Sequence, residues 1–94
     1  MVYVVAYQFM NRTAEDVKPF YDTLERFPSL MQVTETVCLV ATNATVDSVH
    51  DSLETCMRVG DTLFVARLWP GYDFETYSNK VKAWMEDCRK GGYF

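Results

Sequence analysis

The apolar residues of this chain follow two spacings, one typical of strands and one typical of helices. From Val2 to Phe9, and again from Asp61 to Trp69, both alternating sets of positions are largely apolar, which is typical of strands covered on both faces. The segment from Leu30 to Thr42 is rich in Val, Thr and Leu and contains neither Gly nor Pro. It predicts one bent strand or two short strands folded around Thr34-Glu35, and we favour two strands.

Three other segments repeat apolar residues at helical spacing. A first helix is predicted to begin near Glu15 or Asp16, which leaves Pro19 close to its first turn, and to stop at Pro28. Thr42 or Thr45 is expected to cap a second helix, in a segment that ends at Gly60. We expect a third helix, with a basic last turn, to be capped by Asp73 and to carry the apolar residues Phe74, Tyr77, Val81, Trp84, Met85 and Cys88.

This order of elements predicts an α+β fold, a ferredoxin-like β-α-β-β-α-β sandwich with an added C-terminal helix, in which residues 1–94 form a single domain. Two helices can cover only one face of a small sheet, whereas the strands are apolar on both faces. We therefore expect the added helix or a second copy of the chain to cover the other face, and we expect a homodimer.

Composition and charge narrow the classes of function. The chain has 94 residues, of which 49% are hydrophobic and 15% aromatic, which excludes a disordered protein. Its net charge of −4 argues against non-specific nucleic-acid binding, because nucleic-acid binders normally carry a surplus of Lys and Arg. The N-terminal stretch lacks the basic leader and the long apolar core of a signal peptide, so we expect a cytoplasmic protein without a membrane partner.

No catalytic constellation is recognisable among the residue types that usually carry chemistry. The cysteines Cys38, Cys56 and Cys88 are odd in number and far apart, so they are interpreted as small buried hydrophobes rather than as a disulfide or zinc framework. The single histidine, His50, lies among acidic residues of the second helix, where a solvated polar face is a simpler interpretation than a metal site. We predict no catalytic residue, no metal and no cofactor.

Candidate binding residues lie in or beside the first and last strands. Aromatic side chains there could stack on a ligand or anchor a partner, although core and dimer contacts are the simpler role. Arg67 interrupts an apolar strand and would need a partner, for which Glu35, Gln8 or a bound anion are the alternatives. The candidate binding residues are Tyr7, Gln8, Phe9, Arg67, Trp69 and Tyr72.

Three stretches of the chain resemble the small CRISPR-associated protein 2 family and its SinR-like relatives over roughly residues 2–69. They are the strand run 36–42, the helix containing Asp51-Ser52-Leu53, and the run 60–68, which begins with Gly-Asp. The resemblance implies a ferredoxin-like fold and a homodimer formed through the sheets, in a group that includes metal-dependent nucleases, toxins and structural adaptors. It also implies a Tyr-Asp pair at the end of the first strand, with the Asp as metal ligand, but this chain has Tyr7-Gln8. A neutral amide lacks the charge that holds a hard cation, which argues against a metal nuclease.

Taken together, these features favour a non-catalytic homodimeric binding protein. Its partner would be another protein, such as a defence complex blocked by a phage or mobile-element accessory, or a small anionic ligand. Two alternatives remain open at this point: a divalent-metal nuclease or RNase toxin, and a small-molecule enzyme that uses an aromatic pocket with Arg67.

Overall fold

Residues 1–69 and 74–93 are described by the computed structural model, and they form four strands and three helices of an α+β fold. In chain order, the elements are β1 (Val2–Gln8), α1 (Ala14–Glu25), β2 (Ser29–Thr34), β3 (Val37–Ala41), α2 (Val46–Glu54), β4 (Thr62–Leu68) and α3 (Asn79–Lys90). The segment from Leu30 to Thr42 therefore forms two strands, as predicted. None of the helices within these two ranges is long and apolar enough to cross a membrane.

The four strands form one antiparallel sheet with the order β2-β3-β1-β4. β1 is one of the two inner strands, and its neighbours are β3 and β4. Val5 of β1 lies opposite Cys38 of β3 and Val65 of β4, which gives the register of β1 with both neighbours. Because directly opposed residues point to the same face, these three side chains share one face. β2 and β4 are left as the two edges of the sheet.

Helices α1 and α2 cover that face of the sheet. Tyr3, Val5 and Tyr7 of β1 form a buried core there with Phe20 of α1 and Leu53 of α2. The helices begin where side chains satisfy first-turn amides that have no partner within the helix. Thr13 forms a reciprocal capping box with Asp16, so α1 begins one residue before the expected start, and Thr45 accepts a hydrogen bond from the Ser48 amide and caps α2.

Helix α3 packs on part of the opposite face, where it contributes the second core with Val2, Leu39 and Ala41 of the sheet. The expectation that the added helix helps to cover this face is confirmed. The buried side chains of α3 are Val81, Met85 and Cys88.

The predicted start of α3 was wrong. The helix begins at Asn79, because the side chain of Ser78 accepts a hydrogen bond from the Val81 amide and supplies the N-cap. Phe74 packs against the second core but precedes the helix, and Tyr77 also precedes it and is fully exposed. Asp73, the expected cap, lies outside the described residues.

The edge strand β4 is only partly covered by the described residues. Phe64 lies opposite Ala6 on the face that carries α3, yet its side chain is 59% exposed. Thr62 is exposed as well, whereas Ala66 and Leu68 are half-buried and Leu68 packs against the second core. Phe64 is therefore the exposed large apolar side chain of this strand.

Candidate functional site

The predicted binding residues lie at two separate ends of the sheet. Gln8 lies opposite Thr62, whereas Tyr3, five residues away on the same strand, lies opposite Arg67. At a rise of ~3.3 Å per residue, the two ends are roughly 16 Å apart along the strand. Tyr7, Gln8 and Phe9 are thus grouped at one end and Arg67 and Trp69 at the other. Tyr72 lies outside the described residues.

Tyr7 belongs to the core rather than to an open surface. Its ring centroid lies 4.7 Å from that of Phe20 and 5.9 Å from that of Tyr21, and its side chain is 3% exposed. Its hydroxyl accepts a 2.6 Å hydrogen bond from Nε2 of Gln32. Burial raises the pKa of Tyr7 well above its usual range, with a further contribution from hydrogen bonding to Tyr21. Tyr7 and its neighbour Phe9 therefore form an aromatic cluster that stabilises the fold.

Gln8 is exposed at the end of β1, beside a groove of about 640 Å³ that also contains Glu35. The carboxylate of Asp61, at the start of β4, is already used. It accepts hydrogen bonds from the amides of Met10 and Arg58 and forms a 2.8 Å ion pair with Arg12. The hydrogen bond from Met10 contributes most to lowering the pKa of Asp61. This arrangement leaves Glu35 as the carboxylate that shares the described groove with Gln8.

Arg67 lies at the opposite end of the sheet, on the face that α1 and α2 cover. Its guanidinium carbon is 4.4 Å from the ring centroid of Trp69, which is a cation–π contact. Its Nε atom is buried and has no hydrogen-bond partner among the described residues. Within the described ranges, neither Glu35 nor Gln8 nor any other carboxylate or amide forms an ion pair or hydrogen bond with Arg67. Of the three partners considered from the sequence, a bound anion is the one that the contacts within the chain leave open.

A cavity of about 500 Å³ opens beside Arg67, between β1, β4 and the first turn of α2. The polar groups of its wall are mostly used within the fold. The hydroxyl of Tyr3 donates a 2.6 Å hydrogen bond to the carbonyl of Ala44, and Thr45 is occupied as the cap of α2. Arg67 is therefore the charged side chain among the residues that line the cavity, and the other side chains include the apolar Met1, Val46, Val65 and Trp69.

The acidic ridge of α2 is a weaker candidate. Nδ1 of His50 lies 3.2 Å from Glu54 and 3.5 Å from Asp51, so the three side chains could reach one cation. All three are largely solvent-exposed, at 39%, 63% and 78%. Because His50 and Glu54 are four residues apart, their contact is the ordinary pairing of neighbours on a helix surface.

The cysteines are free, and two of them are buried. Burial raises the pKa of the Cys38 thiol to about 12, and burial likewise raises the pKa of Cys88. Cys56 is partly exposed just beyond α2. The expectation of a buried cysteine is confirmed for Cys38 and Cys88, whereas Cys56 packs against the first core but is only partly buried.

The first turn of α2 was not among the predicted binding residues. Thr45 was considered only as one of two possible caps of the helix. The pairing of β1 with β3 places the residues before α2 beside the start of β1, and the pairing of β1 with β4 places Arg67 there too, and a helix pattern alone does not contain these registers.

Comparison of the chain with family models, curated proteins and solved structures gives no match. The resemblance to the CRISPR-associated protein 2 family and the functions it implies therefore remain expectations.

Proposed function

We propose that this protein is a non-catalytic binding protein that takes up a small anionic ligand in the cavity beside Arg67. The observation that carries the proposal is the guanidinium of Arg67, which lines a cavity of ligand size and forms no ion pair or hydrogen bond with the described residues. An anion in the cavity could accept charge-assisted hydrogen bonds from this guanidinium, and such bonds are stronger than those between neutral groups.

The position of α2 also favours a negatively charged ligand. The first turn of α2 reaches the cavity through Thr45 and Val46, and the amides of a helix N-terminus favour negative charge. The guanidinium of Arg67 lines the same cavity. The cavity therefore combines a cationic side chain with a helix end of the same electrostatic sign.

A binding role also agrees with the side chains that surround Arg67. Among the described residues of the cavity wall, Tyr3 and Thr45 are of types that can take part in acid–base or nucleophilic catalysis. Both hydroxyls are already hydrogen-bonded within the fold, to the carbonyl of Ala44 and the amide of Ser48. The small-molecule enzyme considered from the sequence is thus less well supported than a binding protein.

We further propose a ferredoxin-like arrangement and a homodimer, as the resemblance to the CRISPR-associated protein 2 family implies. The strand order β2-β3-β1-β4 and the two helices that link β1 to β2 and β3 to β4 support the first. The exposed Phe64 on the edge strand β4 supports the second. The metal nuclease has no comparable support, because Gln8 replaces the acidic ligand and Asp61 is bound to Arg12.

The binding proposal is tested by titrating the protein with inorganic phosphate and with acetate at low ionic strength while recording amide and arginine side-chain resonances. We expect the Arg67 side-chain resonance and the Val46 amide to shift together, and we expect Arg67→Gln to abolish the shift of the Val46 amide. Lys80→Ala serves as the control, since this exposed Lys lies on α3, on the other face of the sheet. Shifts that persist in Arg67→Gln, or none at millimolar anion, would contradict the proposal.

A further inference from the structure

The cavity beside Arg67 is much larger than a simple anion requires. Its volume of about 500 Å³ lies within the ~300–1,000 Å³ that is usual for small-molecule sites. Phosphate or acetate alone would contact Arg67 and leave most of the apolar wall in contact with water. The size of the cavity thus indicates that the ligand has a body in addition to its charged group.

The wall indicates the polarity of that body. The apolar side chains of Met1, Val46 and Val65 line it, and the hydroxyl of Tyr3 is already bonded to the carbonyl of Ala44. A sugar or another polyhydroxylated body would find few partners for its hydroxyl groups, and buried polar groups without partners are costly. An apolar body satisfies this wall better.

Trp69 indicates the shape of the body. One face of its ring is in contact with the guanidinium of Arg67, yet the residue is still 59% exposed. Aromatic rings prefer offset-stacked or edge-to-face contacts with other flat rings. Trp69 can therefore hold a planar group next to the position at which Arg67 holds the negative charge.

We infer that the ligand is a small aromatic monoanion, and this inference rests on the proposed function. The carboxylate or similar acid group of the ligand binds Arg67. Its ring packs against Trp69 and the apolar wall. The acid group accepts hydrogen bonds from the guanidinium of Arg67, and the ring displaces water from the cavity. Charge and flat apolar surface are recognised by two different residues, so their contributions can be separated by substitution.

The test compares three probes by isothermal titration calorimetry: 1-naphthoate, its neutral amide naphthalene-1-carboxamide, and acetate. In the unmodified protein we expect naphthoate to bind at least about tenfold more tightly than the amide or acetate. Naphthoate makes both the ring contact with Trp69 and the charged hydrogen bonds with Arg67, whereas the amide lacks the charge and acetate lacks the ring. Trp69→Leu should lower naphthoate affinity to that of acetate. Arg67→Gln should lower it to that of the amide.

The controls distinguish this inference from the proposed function. Lys80→Ala should bind all three probes as the unmodified protein does, and circular dichroism should show that each variant is folded. Arg67→Lys keeps the charge but not the planar guanidinium that can bind a carboxylate through two hydrogen bonds, so we expect an intermediate affinity for naphthoate. If acetate and naphthoate bind equally and Trp69→Leu changes nothing, the aromatic ligand is excluded while anion binding at Arg67 stands. If Arg67→Gln binds naphthoate as well as the unmodified protein, both proposals are wrong.

Discussion

Nη1 of Arg12 lies 2.8 Å from Oδ2 of Asp61, and the two side chains are 5% and 0% exposed. This ion pair links the loop after β1 to the start of β4, and Arg12 also donates hydrogen bonds to the carbonyls of Cys56 and Asp16. Removal of one partner leaves the other charge buried and uncompensated. The pair is therefore important for stability rather than for binding.

The first prediction concerns acid stability. The pKa of Asp61 is lower in the folded protein than in the unfolded chain, so its contribution to stability is present above the unfolded pKa of ~3.9 and is lost as the pH falls through the folded value. Asp61→Asn should lower the Tm at pH 7 and make the decline of Tm below pH ~4 shallower. The decline should not vanish, because hydrogen bonding to the Thr13 amide also lowers the pKa of Asp16.

Asp22→Asn is the matched control for Asp61→Asn, because Asp22 pairs with Lys18 on the exposed side of α1 and is 45% exposed. Thermal melts between pH 2 and pH 7 measure both variants, and the control should follow the unmodified protein closely. If Asp61→Asn showed the same acid profile as the control, the buried ion pair would not account for the pH dependence.

A second prediction follows from the buried hydroxyl of Tyr7. Tyr7→Phe should lower the free energy of unfolding by about 1 kcal/mol at pH 8, through loss of the hydrogen bond from Gln32. The pKa of Tyr7 is raised in the folded state, so its contribution to stability is present below the unfolded pKa of ~10 and is lost as the pH rises above it. The variant should therefore lose less stability than the unmodified protein between pH 8 and pH 10.5.

Urea denaturation at the two pH values measures this difference, and Tyr77→Phe is the control because Tyr77 is fully exposed. Equal alkaline losses of stability in Tyr7→Phe and in the unmodified protein would show that another group is responsible.

A third prediction concerns thiol reactivity. The thiolate is the reactive form, and burial both shields Cys38 and Cys88 and raises the pKa of each thiol. Ellman's reagent at pH 8 should modify one thiol of the folded protein quickly, and Cys56→Ser should abolish that fast phase. Cys88→Ser is the control that should keep it, and all three thiols should react at once in urea. A fast phase that survives in Cys56→Ser would contradict the predicted burial of the other two.

The sequence predicted the elements well where a local pattern determines them. The segment around Thr34-Glu35 is rich in the β-branched residues that favour strands, and it forms the hairpin of β2 and β3. Thr is a common N-cap residue, and the side chain of Thr45 caps α2 by accepting a hydrogen bond from the Ser48 amide. The start of α3 was misplaced, because Ser78 and Asp73 are both good N-cap residues and the apolar spacing from Phe74 to Val81 fits a helix equally well. Local patterns do not decide between two competing caps.

The candidate site was harder to predict because it depends on the register between distant strands. The aromatic residues Tyr7 and Trp69 were grouped with Gln8 and Arg67 from the sequence, but the sheet separates them into two ends. Arg67 was correctly recognised as an exception to an apolar strand pattern. Its position opposite Tyr3 and near Thr45 follows from the order β2-β3-β1-β4, which the hydrophobic pattern alone does not determine.

The last prediction tests the proposed homodimer at the edge strand β4. This strand is seven residues long and contains neither Lys nor Pro, the residues that commonly protect an exposed edge, and the described residues pair with it only on the β1 side. Phe64 exposes 59% of its surface on the same strand. A second copy that covers Phe64 would remove this apolar side chain from water. Full burial of a Phe side chain contributes a favourable free energy of about 1.5–3 kcal/mol.

We therefore expect light scattering to show a dimer at micromolar concentration and Phe64→Glu to convert it to a folded monomer, since a carboxylate buried at the interface would lack a partner. Val59→Glu is the matched control: Val59 is fully exposed in the loop before β4, so the same new charge should leave the dimer intact. Circular dichroism checks that both variants keep the native secondary structure. A monomeric unmodified protein would refute the dimer, and a dimeric Phe64→Glu would place its interface away from this edge. Either result would leave anion binding at Arg67 unaffected, because Arg67 lies on the opposite face of the sheet from Phe64.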